Sequence, residues 1–232
     1  MNKIFPLVFL LLIVTILQSQ TIDFNQLEER NNYLSYKKGE NKAFSGTAIK
    51  YYSQNKPEYS IEYIDGLEHG KAIYYNPLGN IICEGIFKEG IEHDKWKWYY
   101  PNKKTKTVGN YNIGTPIGIW EYFRENGTID RSGSIENGKE NGLWKYWNEK
   151  GILSTTREYK VGIKDGIETW YYESGNIMLT RTYFNGIENG LFAGWFDSGE
   201  KQFEGNARNG KVIRYIEWDK KGIAIKINKY ED

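Results

Sequence analysis

The chain has 232 residues and a net charge of +1, and its 25 glycines, 8 tryptophans, 19 tyrosines and 10 phenylalanines stand against 5 prolines and 2 methionines. So balanced a charge argues against a nucleic-acid backbone as partner, and the single cysteine, Cys83, excludes an intrachain disulfide framework and a thiolate zinc cluster. Stability therefore has to come from packing and strand pairing, and the glycine and aromatic bias prompts a search for repeats.

At the N-terminus, Lys3 precedes an apolar run from Ile4 to Leu17 that only Pro6 and Thr15 interrupt. Fourteen residues at about 1.5 Å each do not cross a hydrocarbon core of roughly 30 Å, so residues 1–19 read as a secretory signal peptide cleaved near Ser19. The mature chain is then expected to be secreted or to reside in the periplasm or cell envelope, with no transmembrane segment. No cysteine follows the run to serve as a lipoprotein acylation site. Loss of Lys3 leaves the mature chain neutral. Residues 20–45, which include YLSYKKGENKAFSG running into Gly46, read as an N-terminal capping segment.

From Gly46 onward the chain aligns on itself with a period of 24, without a gap, through seven units spanning residues 46–213. The units begin at Gly46, Gly70, Asp94, Gly118, Gly142, Gly166 and Gly190. Unit position 21 is glycine every time, at Gly66, Gly90, Gly114, Gly138, Gly162, Gly186 and Gly210, and position 6 is always aromatic. Positions 2 to 7 are rich in Trp, Tyr and Phe, which suit a pleated, half-buried strand. Sequences such as ENG, EKG and ESG at positions 8 to 10 read as a tight turn, and NGKEN or NGIEN around position 21 as a second one. Two strands and two short turns per unit predict an all-β fold, an elongated single-layer antiparallel meander of tandem β-hairpins with about fifteen strands. Residues 214–232 form a partial repeat. Trp218 and Gly222 copy positions 6 and 10 one residue early, and Ile223 to Tyr230 reads as a closing edge strand blunted by Lys226 and Lys229.

Units with a G-x-W-x-Y-aromatic strand and a Y-x-x-G-x-x-x-G turn resemble the MORN repeat in its 24-residue bacterial variant. The stretch from Glu29 through KAFSGTAIKYYSQNKPEY, followed by YIDGLEHG, is similar to the YwqK-type toxin-antitoxin antitoxins. The first resemblance implies a scaffold that holds a protein or a lipid headgroup and catalyses nothing; the second implies neutralisation of a toxin by protein contact. Asp94, Glu168 and Gly194 depart from the repeat pattern, so local irregularity is expected in units three, six and seven.

No phosphate loop, serine elbow or paired-cysteine motif is present, and no enzyme activity, cofactor or metal is expected. His69 and His93 both occupy position 24, one whole unit apart, and read as turn residues about 9–10 Å from each other, too far to share one zinc. Glu68, Glu92, Glu140 and Glu188 recur at position 23 and read as a solvated turn row without the close pairing of an acid–base couple. Cys83 has no base beside it except a turn histidine, and the sequon Asn126-Gly127-Thr128 coincides with a turn.

The aromatics carry the functional content. Trp96, Trp120 and Trp144 stand at position 3 of successive units, and Trp98, Tyr122 and Tyr146 at position 5, on the same face of the sheet. They read both as the packing core of a sheet that has no second layer and as an extended surface for a partner. A protein is the first expectation for that partner; a glycan stacked on the rings or a lipid headgroup is the alternative.

Overall fold

A computed structural model describes residues 20–30, 33–53 and 55–229. The leader over residues 1–19 and the chain from Tyr230 onward lie outside the described residues. In chain order the strands are β1 (Gln20–Asp23), β2 (Leu27–Glu29), β3 (Ser35–Lys37), β4 (Gly46–Ser53), β5 (Lys56–Ile64), β6 (Leu67–Tyr75), β7 (Ile81–Lys88), β8 (Ile91–Tyr99) and β9 (Thr105–Asn112). They continue with β10 (Thr115–Phe123), β11 (Ile129–Glu136), β12 (Lys139–Trp147), β13 (Leu153–Lys160), β14 (Ile163–Tyr171), β15 (Ile177–Phe184), β16 (Ile187–Trp195), β17 (Lys201–Arg208), β18 (Lys211–Trp218) and β19 (Ala224–Lys229). From β4 to β19 every strand pairs antiparallel with the next, so the array is one uninterrupted meander in a 17-stranded sheet.

The seventeenth strand departs from the expected meander. β1 runs parallel to β4, with Gln20 opposite Gly46 and Asp23 opposite Ile49. A parallel neighbour needs a crossover, and residues 24–45 supply it as a 3-10 turn at Phe24–Gln26, the small β2–β3 hairpin and a return through Phe44. This segment caps the first unit by laying Ile22, Phe44, Phe24 and Leu27 onto the same apolar cluster as Ala48, Ile61, Tyr63 and Ala72.

Two turn designs alternate along the array. The hairpins around position 21 have two-residue loops, such as Asp65-Gly66 between β5 and β6. All seven position-21 glycines lie between φ 68° and 85°. The residue before each is left-handed too, from 49° to 53° at Asp65, Glu89, Ile113, Asn137, Val161, Asn185 and Asn209. Two consecutive left-handed residues make the I′ turn, whose twist matches that of the flanking strands. Even Ile113 and Val161 accept that conformation, so the closing hairpin outweighs the steric cost of a branched side chain there. From the β6–β7 connection onward the other turns are five-residue loops: in the one from Asn76 to Asn80, Asn76 N–H donates to Asn80 O at 2.9 Å and Gly79 N–H to Asn76 O at 2.8 Å. The same pair of bonds recurs in the loops starting at Tyr100, Arg124, Asn148, Tyr172, Phe196 and Asp219.

The departing residues change the backbone only locally: Gly166 and Gly190, which open units six and seven, take φ 121° where Gly118 and Gly142 take 69° and 71°, and Arg157–Glu168 and Arg181–Phe192 are direct ladder pairs where Gly109–Trp120 and Gly133–Trp144 are not. Asp94 takes φ 53° where Gly70, Gly118 and Gly142 take 96°, 69° and 71°, so it fills the same bulge position. A short polar side chain tolerates the left-handed region better than most. β14 and β16, which carry Glu168 and Gly194, are nine residues long like β8, β10 and β12.

Candidate functional site

One unit position runs through the centre of the sheet. Position 3 is held by Ala48, Ala72, Trp96, Trp120, Trp144, Glu168 and Phe192, and every one of these residues is buried. A single sheet buries a tryptophan by laying its ring flat over a neighbouring strand that has no side chain there. Trp96 lies over Gly85, Trp120 over Gly109 and Trp144 over Gly133, so closely that a Cβ on any of these glycines would overlap the indole. Phe192 covers Gly205 in the same way. The indole N–H groups are satisfied by main chain: Trp96 Nε1 donates to Ile86 O at 3.1 Å, Trp144 Nε1 to Ser134 O at 3.0 Å and Trp120 Nε1 to Ile117 O at 3.2 Å.

Position 5 adds a second row. Trp98 stacks between Trp96 and Trp120 at centroid distances of 6.1 and 5.8 Å, and Tyr122 lies between Trp120 and Trp144 at 6.3 and 6.2 Å. With Tyr59 and Tyr74 before them, the rings form a continuous run from Phe24 to Tyr159. The six aromatic residues expected to form one face therefore divide into two kinds. Trp96, Trp120 and Trp144 are interior, whereas Trp98, Tyr122 and Tyr146 are only half-buried and keep a ring surface toward solvent. Two shallow clefts open between successive rings: one of about 310 Å³ is lined by Tyr74, Cys83, Trp96 and Trp98, and one of about 240 Å³ by Trp98, Thr107, Tyr111 and Trp120. Burial pushes the Cys83 thiol up to about 11, with Glu84 adding to the shift; at neutral pH it is a small apolar side chain and not a nucleophile.

In units five and six the ring run stops. Arg157 stands where Gly85, Gly109 and Gly133 stand in other units, and Glu168 stands where the next tryptophan would be. The two face each other across β13 and β14 and form an ion pair, and Lys164 Nζ reaches the second carboxylate oxygen of Glu168 at 2.9 Å. Arg181 is opposite Glu168 on β15 and pairs with Glu188 at 3.0 Å. Arg157 also lies 4.5 Å over the Tyr146 ring, and Tyr146 and Tyr159 share a hydroxyl–hydroxyl bond of 3.1 Å. A carboxylate only 1 % exposed is thus tolerated because two cations reach it in place of a glycine and a stack. In unit seven the missing position-5 ring at Gly194 is made good by Phe203, whose ring packs against that glycine.

The opposite face carries a feature that the aromatic pattern hides. Position 2 holds Ile119, Leu143, Ile167 and Leu191 in four successive units, exposed by 57, 48, 48 and 70 %. Neighbours in this row are two strands apart, about 9–10 Å. The recurring pairs Gly118-Ile119, Gly142-Leu143, Gly166-Ile167 and Gly190-Leu191 are the sequence signal for it.

His69 and His93 lie in β6 and β8 and not in turns. Among the described residues no three His, Cys, Asp or Glu side chains gather as metal ligands. Glu68, Glu92, Glu140 and Glu188 likewise sit in strands, half-buried, where a solvated turn row was expected. Position 23 comes one residue after the strand resumes from the two-residue turn and already belongs to the ladder, which the turn-like NGKEN spelling conceals. Asn126 does lie in a turn, its side-chain oxygen accepting from the Thr128 N–H at 2.8 Å.

Among the described residues no helix is long and apolar enough to cross a membrane. Comparison with curated proteins finds no match. The family model described as the MORN repeat variant matches residues 95–112 and 164–185. The first stretch covers most of the β8–β9 hairpin and the second most of β14–β15, equivalent parts of units three and six. Together with seven hairpin units in one register, the two matches support reading the array as MORN repeats, a class of non-catalytic scaffold units.

Proposed function

We propose that the protein is a non-enzymatic scaffold, exported by its leader to the periplasm, the cell envelope or the outside, and that its ring-bearing face holds another protein. The observation that carries this reading is the row of half-buried rings at position 5, Tyr74, Trp98, Tyr122 and Tyr146, resting on a fully packed row beneath. A rigid row of aromatic groups offers large contact area at small entropic cost, which suits a binding surface. The similarity to YwqK-type antitoxins extends the proposal to a toxin as the protein held. The clefts between rings favour a glycan as second reading, since a sugar ring stacks on such a surface; a lipid headgroup is favoured less, because the chain carries no cationic excess.

Site-directed photocrosslinking in the source cell tests the proposal. Benzoylphenylalanine in place of Trp98 or Tyr122 should yield one adduct of defined mass, and the same group in place of Ile119 or Leu143 none. Adducts from the aliphatic side alone would move the interface to the other face. Intact mass of the isolated protein should place its first residue near Gln20; full-length protein retained in the cytoplasm would remove the export half of the reading.

A further inference from the structure

The cavity of about 610 Å³ between the capping segment and the first two units differs from the shallow clefts farther along. Its walls include Phe24 and Leu27 from the cap and Tyr59, Tyr63 and Tyr74 from the sheet, with Glu68 among them. The rings enclose it from different directions: Phe24 stands edge-on to Tyr59 at 5.3 Å and 78°, and Tyr59 is tilted against Tyr74 at 5.9 Å and 50°. Glu68 is half-buried, and burial, opposed by a hydrogen bond from Tyr63 and reinforced by the charge of Glu92, raises its pKa.

The charges around this cavity do not balance from within. Cations of the cap and the first unit are already matched: Arg30 with Glu28 at 2.7 Å, Lys37 with Glu40 at 3.0 Å and Lys50 with Glu58 at 3.4 Å. Lys50 lies 5.6 Å from the Tyr59 ring centroid but is not among the residues lining the cavity. No ion pair joins Glu68 or Glu92 to any described residue. At position 23 of later units Glu188 is matched by Arg181 and Lys164 by Glu168, while Glu140, also without an ion pair, does not line the cavity. An unanswered carboxylate among aromatic faces is the chemistry that recognises an organic cation, because the ring quadrupoles and the carboxylate attract the same charge while the apolar walls accept its carbon.

We propose that this cavity binds a small alkylammonium compound, its cationic head against Glu68 and the faces of Tyr59 and Tyr74, its alkyl part toward Phe24 and Leu27. The site shares Tyr74 with the position-5 row but none of its other rings, and binding of a small cation is read independently of protein binding.

Calorimetric titration of the purified protein with choline, with n-butylammonium and with dimethylbutanol, the neutral carbon isostere of choline, tests it. At least one cation should bind, and about tenfold or more tightly than the isostere, the scale expected of a cation over several rings. A preference for choline would identify a methylated amine as the ligand, and a preference for butylammonium a primary amine. Glu68→Gln should weaken the cation by about tenfold, and Glu140→Gln, at the same position three units away, should leave it unchanged. Glu68→Gln folds on this account, because it removes a charge whose burial disfavours the native state. Binding of neither cation, equal binding of the isostere, or an equal loss in Glu140→Gln would overturn the proposal. The isostere comparison uses the unaltered protein and decides the matter even if a variant misfolds.

Discussion

Units three and four and units five and six use one backbone to solve the same packing problem by opposite chemistry. In the first pair a glycine on one strand admits a flat indole from the next, Gly109 under Trp120, and Gly133 of unit four takes Trp144 of unit five in the same manner. In the second the same two places hold Arg157 and Glu168, joined as an ion pair and shared with Lys164. Strand length and the flanking pairs are the same in both regions, but Arg157 and Glu168 are direct ladder partners where Gly109–Trp120 and Gly133–Trp144 are not, so the ladder adjusts locally to what covers it. At these junctions the two places change together, a ring over a glycine or an acid opposite an arginine, whereas at the next junction Arg181 stands opposite Phe192 and takes its acid from Glu188.

The largest expected loss is in the stacked region. Trp144→Ala removes a ring 1 % exposed and leaves Gly133 uncovered, so thermal or denaturant unfolding should show a loss of about 3–5 kcal/mol. Ile119→Ala, on the far face and 57 % exposed, should stay within about 0.5 kcal/mol. Equal losses would mean that the ring row is not the core.

The ion-paired region should lose less. Glu168→Gln keeps the shape but leaves Arg157 and Lys164 without their acid; as both cations retain about a third of their side-chain exposure, the cost should be roughly 2 kcal/mol, below the 3–5 of a wholly buried pair. A loss as large as that of Trp144→Ala would show that water does not reach these cations.

The turns should not distinguish the regions at all. Gly138→Val and Gly186→Val, in left-handed turns at φ 76° and 81°, should each cost about 1 kcal/mol or somewhat more in chemical unfolding, with no difference between them. Asn137→Val should cost less than either, because Val161 occupies the matching place in the native chain at φ 53°. Unequal glycine effects would mean that the two halves differ in frame as well as in cover.

The period, the paired turns and the antiparallel meander are legible in the sequence because each depends on local preference: left-handed glycines, aromatic strands and short loops. The ladder of Trp96, Trp120 and Trp144 is legible for the same reason. The parallel strand β1 is not, since Gln20–Asp23 pairs through a crossover and carries no repeat spelling. Glu168 read alone is a departure from pattern; only beside Arg157, eleven residues back, does it become a substitute for the ring. The exposed Ile119, Leu143, Ile167 and Leu191 row escapes notice because tryptophans next to it dominate the pattern. The charge in the cavity at Glu68 depends on which partners are absent in space, and spacing along the chain does not report that.

Between the Gly133–Trp144 and Arg157–Glu168 junctions, the covering residue and the residue beneath it form one interchangeable unit. A double-mutant cycle on Arg157→Gly and Glu168→Trp, which writes the Gly133–Trp144 arrangement into the next unit, tests it by denaturant unfolding. Each single change should cost about 2–3 kcal/mol, one by leaving Glu168 with Lys164 alone and the other by driving an indole into Arg157. The double variant should recover most of that loss, with a coupling of about 2 kcal/mol or more. Losses that add to within about 0.5 kcal/mol would contradict the account, because the two positions would then be tolerated or rejected independently.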